Sequence, residues 1–201
     1  MKWIYGRQDW KTLERGLENC YLLTNGLGGF SSLTMTGAVA RNDHSVFMAC
    51  TKAPNHRINM IHRMKEELDI GESKYILSTQ EFADGTKEEG YRYLTEFSFE
   101  TLPSWRYLIN GVEIEKEIVM AQGSNQIAVN YHLKNRGQKE AALCVTPFFQ
   151  FEPKGEDLKE DKIFSRQEQK ITDGKYALFF ETNGEVEGFT EKKETYFYSY
   201  D

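Results

Sequence analysis

Two runs of alternating apolar and polar residues, Trp105 to Ile109 and Val112 to Met120, are separated only by Asn110-Gly111. That dipeptide accepts the positive φ angles of a type I′ turn, whose twist suits a two-residue β-hairpin. The turn predicts the register: Ile109 opposite Val112, Tyr107 opposite Ile114, Trp105 opposite Lys116 and, on the other face, Arg106 opposite Glu115. One face of the ribbon is apolar and the other carries a cross-strand charge pair. A chain built around this ribbon is constrained towards antiparallel sheet.

The same alternation recurs downstream. Ile127, Val129, Tyr131 and Leu133 alternate with Ala128, Asn130, His132 and Lys134, between Gly123-Ser124-Asn125 and Asn135-Arg136-Gly137, which predicts a half-buried strand. Ala141 to Phe151, Lys175 to Thr182 and Thr195 to Tyr200 read as further strands, with turns at Asp173-Gly174 and Asn183-Gly184-Glu185. Short strands spaced by about 8 to 12 residues predict an all-β, two-sheet antiparallel sandwich. In one segment periodicity leaves helix and strand open, because Ile58, Ile61, Met64 and Leu68 have near-helical spacing while Ile58, Met60 and Met64 fit alternation. Glu152 to Lys162, with Pro153 and Gly155, reads as a solvated excursion within a single domain spanning residues 1–201.

Composition narrows the partners. Thirteen Phe, eleven Tyr and three Trp in 201 residues favour pleated, half-buried surfaces. A net charge of -6 argues against a surface built for nucleic acid or anionic lipid and is compatible with a neutral polyol. Cys20, Cys50 and Cys144 are odd in number and far apart, unlike a disulfide framework, so reduced and mostly buried thiols are expected. The N-terminus lacks the apolar run of a signal peptide, and no stretch approaches the roughly 18 apolar residues of a membrane helix. Cytoplasm is the default expectation.

Ahead of the hairpin, Leu22-Leu23-Thr24-Asn25-Gly26-Leu27-Gly28-Gly29-Phe30-Ser31-Ser32 sets a three-glycine loop directly after an apolar strand. Glycine permits backbone conformations that bring amides close to a neighbour or ligand. The spacing is neither the G-x-G-x-x-G of a dinucleotide site nor a phosphate loop, so no nucleotide cofactor is implied. Arg41-Asn42-Asp43-His44 follows one strand length later and opens a further apolar run. His56, His62 and His132 form no metal-ligand spacing and read as surface or packing residues, and no metal is expected. Glycoside hydrolysis would need two carboxyl groups about 5 to 10 Å apart. The sequence singles out no such pair: Glu113, Glu115 and Glu117 share one strand face, which reads as solvated.

The glycine segment resembles the W-L-x-T/S-N-G-L-G-G-Y/F-x-S stretch in the N-terminal domain of bacterial and archaeal glycogen debranching enzymes of the amylo-α-1,6-glucosidase kind. That family follows it with R-x-Y-H-G-L-L. Here Arg41 and His44 are kept, while Asp43 and Ser45 replace the usual Tyr and Gly. Phe97-Ser98-Phe99-Glu100, Pro103-Ser104-Trp105 and Gly111 to Glu117 continue the likeness in order, so that it covers about residues 15 to 150.

The resemblance implies a supersandwich like the N-terminal domain of glucoamylase, with Ile58 to Leu68 as strand. It implies that the catalytic carboxylic acids lie in a following (α/α)6 barrel, which is absent from this chain, so the chain alone is expected to be inactive. Its partners would be that barrel and α-glucan, with Asn25, Gly26, Gly28, Gly29, Arg41 and His44 lining the interdomain side. The alternative is a stand-alone carbohydrate-binding sandwich that stacks sugars on the Trp105 hairpin or the C-terminal tyrosines. The aromatic run Thr195 to Tyr200 is expected to be a strand whose apolar face needs a cover.

Overall fold

The computed structural model describes residues 1–200. Its strands are β1 (Trp3–Gly6), β2 (Leu23–Thr24), β3 (Phe30–Ser32), β4 (Ser45–Lys52), β5 (His56–Ile70), β6 (Ser73–Ile76), β7 (Thr79–Glu81) and β8 (Lys87–Glu89). Then come β9 (Leu94–Phe99), β10 (Pro103–Ile109), β11 (Val112–Met120), β12 (Ile127–Asn135), β13 (Ala141–Pro153), β14 (Ser165–Gln167), β15 (Lys170–Thr172) and β16 (Ala177–Phe179). A short helix, α1 (Leu13–Leu17), is capped by the Thr12 side chain, which accepts from Arg15 N. No helix among the described residues is long and apolar enough to cross a membrane.

Two antiparallel sheets form the sandwich. One has the order β1-β9-β10-β11-β12, and the other runs β13-β5-β4-β3-β2 with β6 also on β5. Two small sheets, β7-β8 and β14-β15-β16, lie outside these layers. The hairpin has the predicted register, with Ile109 opposite Val112, Tyr107 opposite Ile114, Trp105 opposite Lys116 and Arg106 opposite Glu115. Asn110 and Gly111 take φ of 48° and 85°, the positive pair that a type I′ turn requires. The apolar face of the hairpin is buried in the core with Leu33, Val46, Phe47, Ile58, Leu68 and Ile70. Trp105 is wholly buried, and its Nε1 donates to Met35 O at 2.8 Å. Burying an indole of about 200 Å² removes about 5 kcal/mol of unfavourable hydration, and the hydrogen bond avoids the cost of a stranded N–H.

The open choice at Ile58 to Leu68 resolves as strand, within the fifteen residues of β5. Ile58, Asn59, Met60, Ile61, His62 and Arg63 are consecutive and all buried, because β5 is central and covered on both faces. A strand covered on both faces has no polar side to alternate with. The register also shifts against both neighbours, between Phe47 and Met48 and between Phe148 and Phe149, which disturbs the period further.

Four expectations change. Thr195 to Tyr200 is not a strand: among the described residues its only pairing is an isolated bridge between Phe82 and Tyr196. Its rings turn inward instead, Tyr196 lying 4.9 Å from the His62 ring and 6.0 Å from Phe82, so protein already covers this part of the segment. Lys175 to Thr182 shortens to β16, the last strand of a small meander. The excursion after β13 is anchored at both ends, since Glu152 is buried and meets Lys162 Nζ at 3.0 Å. Of the thiols only Cys50 is buried: Cys20 is exposed and Cys144, on edge strand β13, is half-buried. All three are free.

Candidate functional site

The glycine loop joins β2 to β3 and is organised by Asn25, which is wholly buried. Asn25 Oδ1 accepts from Leu27 N and Gly29 N, each at 3.0 Å. Its Nδ2 donates to Ser124 O at 2.9 Å and Asn125 Oδ1 at 3.1 Å, and Gly123 N donates to Asn25 O at 2.8 Å. One side chain thus shapes its own turn and ties it to the β11–β12 connection in the opposite sheet. Asn125 extends the tie, accepting from Cys50 N at 3.0 Å and donating to Cys50 O at 2.8 Å.

Gly28 and Gly29 are required here for different reasons. Gly28 has φ +101°, and a Cβ there would stand 2.5 Å from Pro54 O. At Gly29 a Cβ would meet Asn25 Nδ2 at 2.7 Å and Met48 O at 2.9 Å. Close backbone approach demands a residue without a side chain. Arg57 Nε donates to Gly28 O at 2.7 Å, and Gln122, beside Gly26, donates from Nε2 to Thr24 O at 2.7 Å.

The second half of the motif precedes β4. His44 is buried, its Nδ1 accepts from Ala40 N at 3.2 Å, and its own N donates to Arg41 O at 3.0 Å. Arg41 is exposed, with its guanidinium 5.8 Å from the Tyr200 ring. Asp43 and Ser45, which stand where the family pattern has Tyr and Gly, both have partners. Partial burial disfavours the Asp43 carboxylate, but Lys154 Nζ at 2.6 Å, with His44 and Arg41 nearby, holds it below the usual carboxylate range. Ser45 Oγ lies 2.8 Å from both Asn59 Oδ1 and Ile61 O.

The two halves do not meet. The glycine loop reaches β4 through the Asn125 bridge at Cys50, whereas His44 stands immediately before Ser45. Five residues of strand separate those points, about 17 Å. Asn25, Gly26, Gly28 and Gly29 form one cluster, and Arg41 and His44 another.

A third cluster was not singled out by sequence reasoning. On β5, His62 accepts at Nδ1 from Asn59 Nδ2 (2.8 Å), which also donates to Gln150 Oε1 (2.9 Å), and His62 Nε2 lies 3.2 Å from Tyr198 Oη. Burial, reinforced by the charges of Arg63 and His44, pushes the His62 pKa down to about 3. Arg63 is 2 % exposed, bonds Glu88 Oε2 at 2.8 Å and lies 3.4 Å from Glu194 Oε2, among Phe82, Phe148 and Tyr196. The available signal was an imidazole and a guanidinium in the middle of an apolar strand.

Between the sheets, Glu66 Oε1 receives Lys116 Nζ at 2.5 Å and the Tyr131 hydroxyl at 2.8 Å. The buried glutamates Glu66, Glu88, Glu152 and Glu194 therefore each face a cation within the fold. Trp105, suggested as a sugar platform, is buried, and Tyr196 and Tyr198 pack on His62.

The fold and these clusters define an all-β sandwich domain in which Asn25 of the glycine loop ties one layer to the β11–β12 connection of the other. A family described as glycogen debranching enzyme N terminal matches residues 19–201, and the chain belongs to that family. Among curated proteins, the membrane protein insertase YidC of Thiobacillus denitrificans is 33% identical over 60 residues. That likeness covers 30% of this chain, and the chain spans about a tenth (11%) of that protein. No solved structure matches.

Proposed function

We propose that the chain is the non-catalytic N-terminal domain of a glycogen-debranching α-1,6-glucosidase, supporting an (α/α)6 catalytic portion. The observation that carries this reading is how the signature loop spends its polar groups. Asn25 directs its side-chain oxygen and nitrogen to protein partners, and Gly28 and Gly29 serve backbone contacts with β4 and the β4–β5 turn. Groups used in this way shape a rigid rim and have no free valence for a reacting sugar. The buried carboxylates point the same way, since each is neutralised inside the fold.

The acid and base for hydrolysis of the α-1,6-linked glucose would then come from the catalytic portion. Mixing the two parts at micromolar concentration tests the reading. A complex on size-exclusion chromatography is expected, and two separate peaks would overturn it. Calorimetric titration of the isolated chain with maltoheptaose distinguishes the alternative. Heat of binding would favour a glucan-binding module using its exposed aromatics, Trp3, Phe197 or Tyr200.

A further inference from the structure

The two layers end on the same side. Sheet one finishes at β12 and sheet two at β13, and each of these strands has a ladder on one side only. Between them runs a groove of about 2390 Å³, lined by Ile127, Val129, Tyr131, Leu143, Val145 and Phe149. These residues are half-buried. Their register partners one strand inward, Ile118 opposite Val129, Met120 opposite Ile127 and Leu68 opposite Leu143, are buried. Face and layer are the same, so the difference is one of cover.

On the side that faces the groove β12 is little protected as an edge, its one lysine, Lys134, standing near the far end on the other face. The strand pairs with β11 through nine consecutive residues without a register shift, contains no proline, and carries no charge on its groove face. Natural edges are guarded by bulges, prolines or inward charges, because a row of alternating N–H and C=O groups is a template for another strand. Extended backbone is the chemistry that satisfies such a row.

The groove also specifies charge. The exposed Glu181, Glu185, Glu187 and Glu191 stand along it. Of the cations along the groove, Lys192 pairs with Glu194 and Lys162 with Glu152 and Asp173, while Lys193 and Arg166 bond the carbonyls of Glu160 and Glu168 and keep their charge, so the four exposed glutamates still outnumber them. A second copy of this chain would bring like-signed rims together at a net charge of -6 each.

We propose that this open side receives a partner polypeptide by strand addition. An extended segment pairs with the free edge of β12, seats apolar residues at alternate positions in the groove, and presents basic residues to the acidic rim. The inference rests on the edge and the groove, and stands independently of the glycogen reading.

A labelled synthetic nonapeptide of alternating Val and Lys tests it with the full chain. Fluorescence anisotropy is expected to show saturable binding, about tenfold tighter than for a Val-Glu peptide or for the Val-Lys peptide N-methylated on alternate amides. Hydrogen exchange is expected to slow at 127–135. Val129→Lys places a charge in the groove and is expected to abolish binding. Leu108→Lys, at an exposed position of β10 outside the groove, is expected to leave it intact, with thermal unfolding checking that both variants fold. Equal binding of the N-methylated peptide, protection confined to other strands, or no binding would overturn the proposal. Concentration-dependent protection of β12 without peptide would assign the edge to a second copy and overturn it equally. A complex with the catalytic portion, alongside no peptide binding, would leave the scaffold reading standing and remove this one.

Discussion

Lys116 lies on the apolar face of the β10–β11 hairpin, between Ile114 and Ile118, where a charge is expensive. Its side chain is 4 % exposed and that of Glu66 is 6 %, with Nζ 2.5 Å from Oε1 and 5.2 Å from the Trp105 ring centre. Lys116→Met keeps the length of the stem and removes the cation, leaving Glu66 with only the Tyr131 hydroxyl. An uncompensated buried charge costs about 3–5 kcal/mol, and Glu66→Gln should cost a similar amount by stranding the lysine. Those losses are a large share of the roughly 5–15 kcal/mol that stabilises a domain. The double variant Lys116→Met/Glu66→Leu strands neither charge. It should lie within about 2 kcal/mol of the parent, with about 1 kcal/mol of that loss due to the Tyr131 hydroxyl. Urea unfolding followed by tryptophan fluorescence gives the three differences. The double variant is expected to be more stable than either single one. Additive losses, with the double variant the least stable, would refute the reasoning and show that the pair is solvated.

The buried histidine makes stability depend on pH. With a folded pKa of about 3 against 6.5 unfolded, His62 binds fewer protons folded than unfolded between those values. Its contribution is intact above pH 6.5 and is lost as pH falls towards 3, by up to about 1.4 kcal/mol per unit. From pH 7 to 5 the parent should lose about 2 kcal/mol more than His62→Gln in urea titrations, and parallel curves would contradict this assignment. Gly28→Ala should destabilise by about 2–4 kcal/mol, since it combines positive φ with a contact to Pro54 O, whereas an unchanged thermal midpoint would mean that the loop relaxes freely. Asn25→Ala should cost about 2–4 kcal/mol by stranding the Leu27 and Gly29 amides, and hydrogen exchange at those amides should rise before global unfolding.

The hairpin was legible because everything that sets it is local. Asn110-Gly111 selects the turn, the turn selects the pairing, and alternation identifies the buried face. The glycine segment was legible as a family signature, and its spacing excluded nucleotide loops. What it does was not legible, because Asn25 finds its partners about a hundred residues away, at Ser124 and Asn125. Sequence proximity made Asn25 and His44 look like one site, whereas β4 holds their clusters at opposite ends. The same limit applied to Thr195 to Tyr200, whose alternation fits a strand equally well whether the neighbouring groups are a ladder or His62 and Phe82.

Lys116 marks the boundary between the two kinds of information. The sequence by itself determined that it lies opposite Trp105 on an apolar face, since register is a property of the turn. Only the tertiary structure supplied Glu66, fifty residues earlier on the opposing sheet, to make that position tolerable. Local periodicity records which way a side chain points, and the packing of the two layers decides what it meets there.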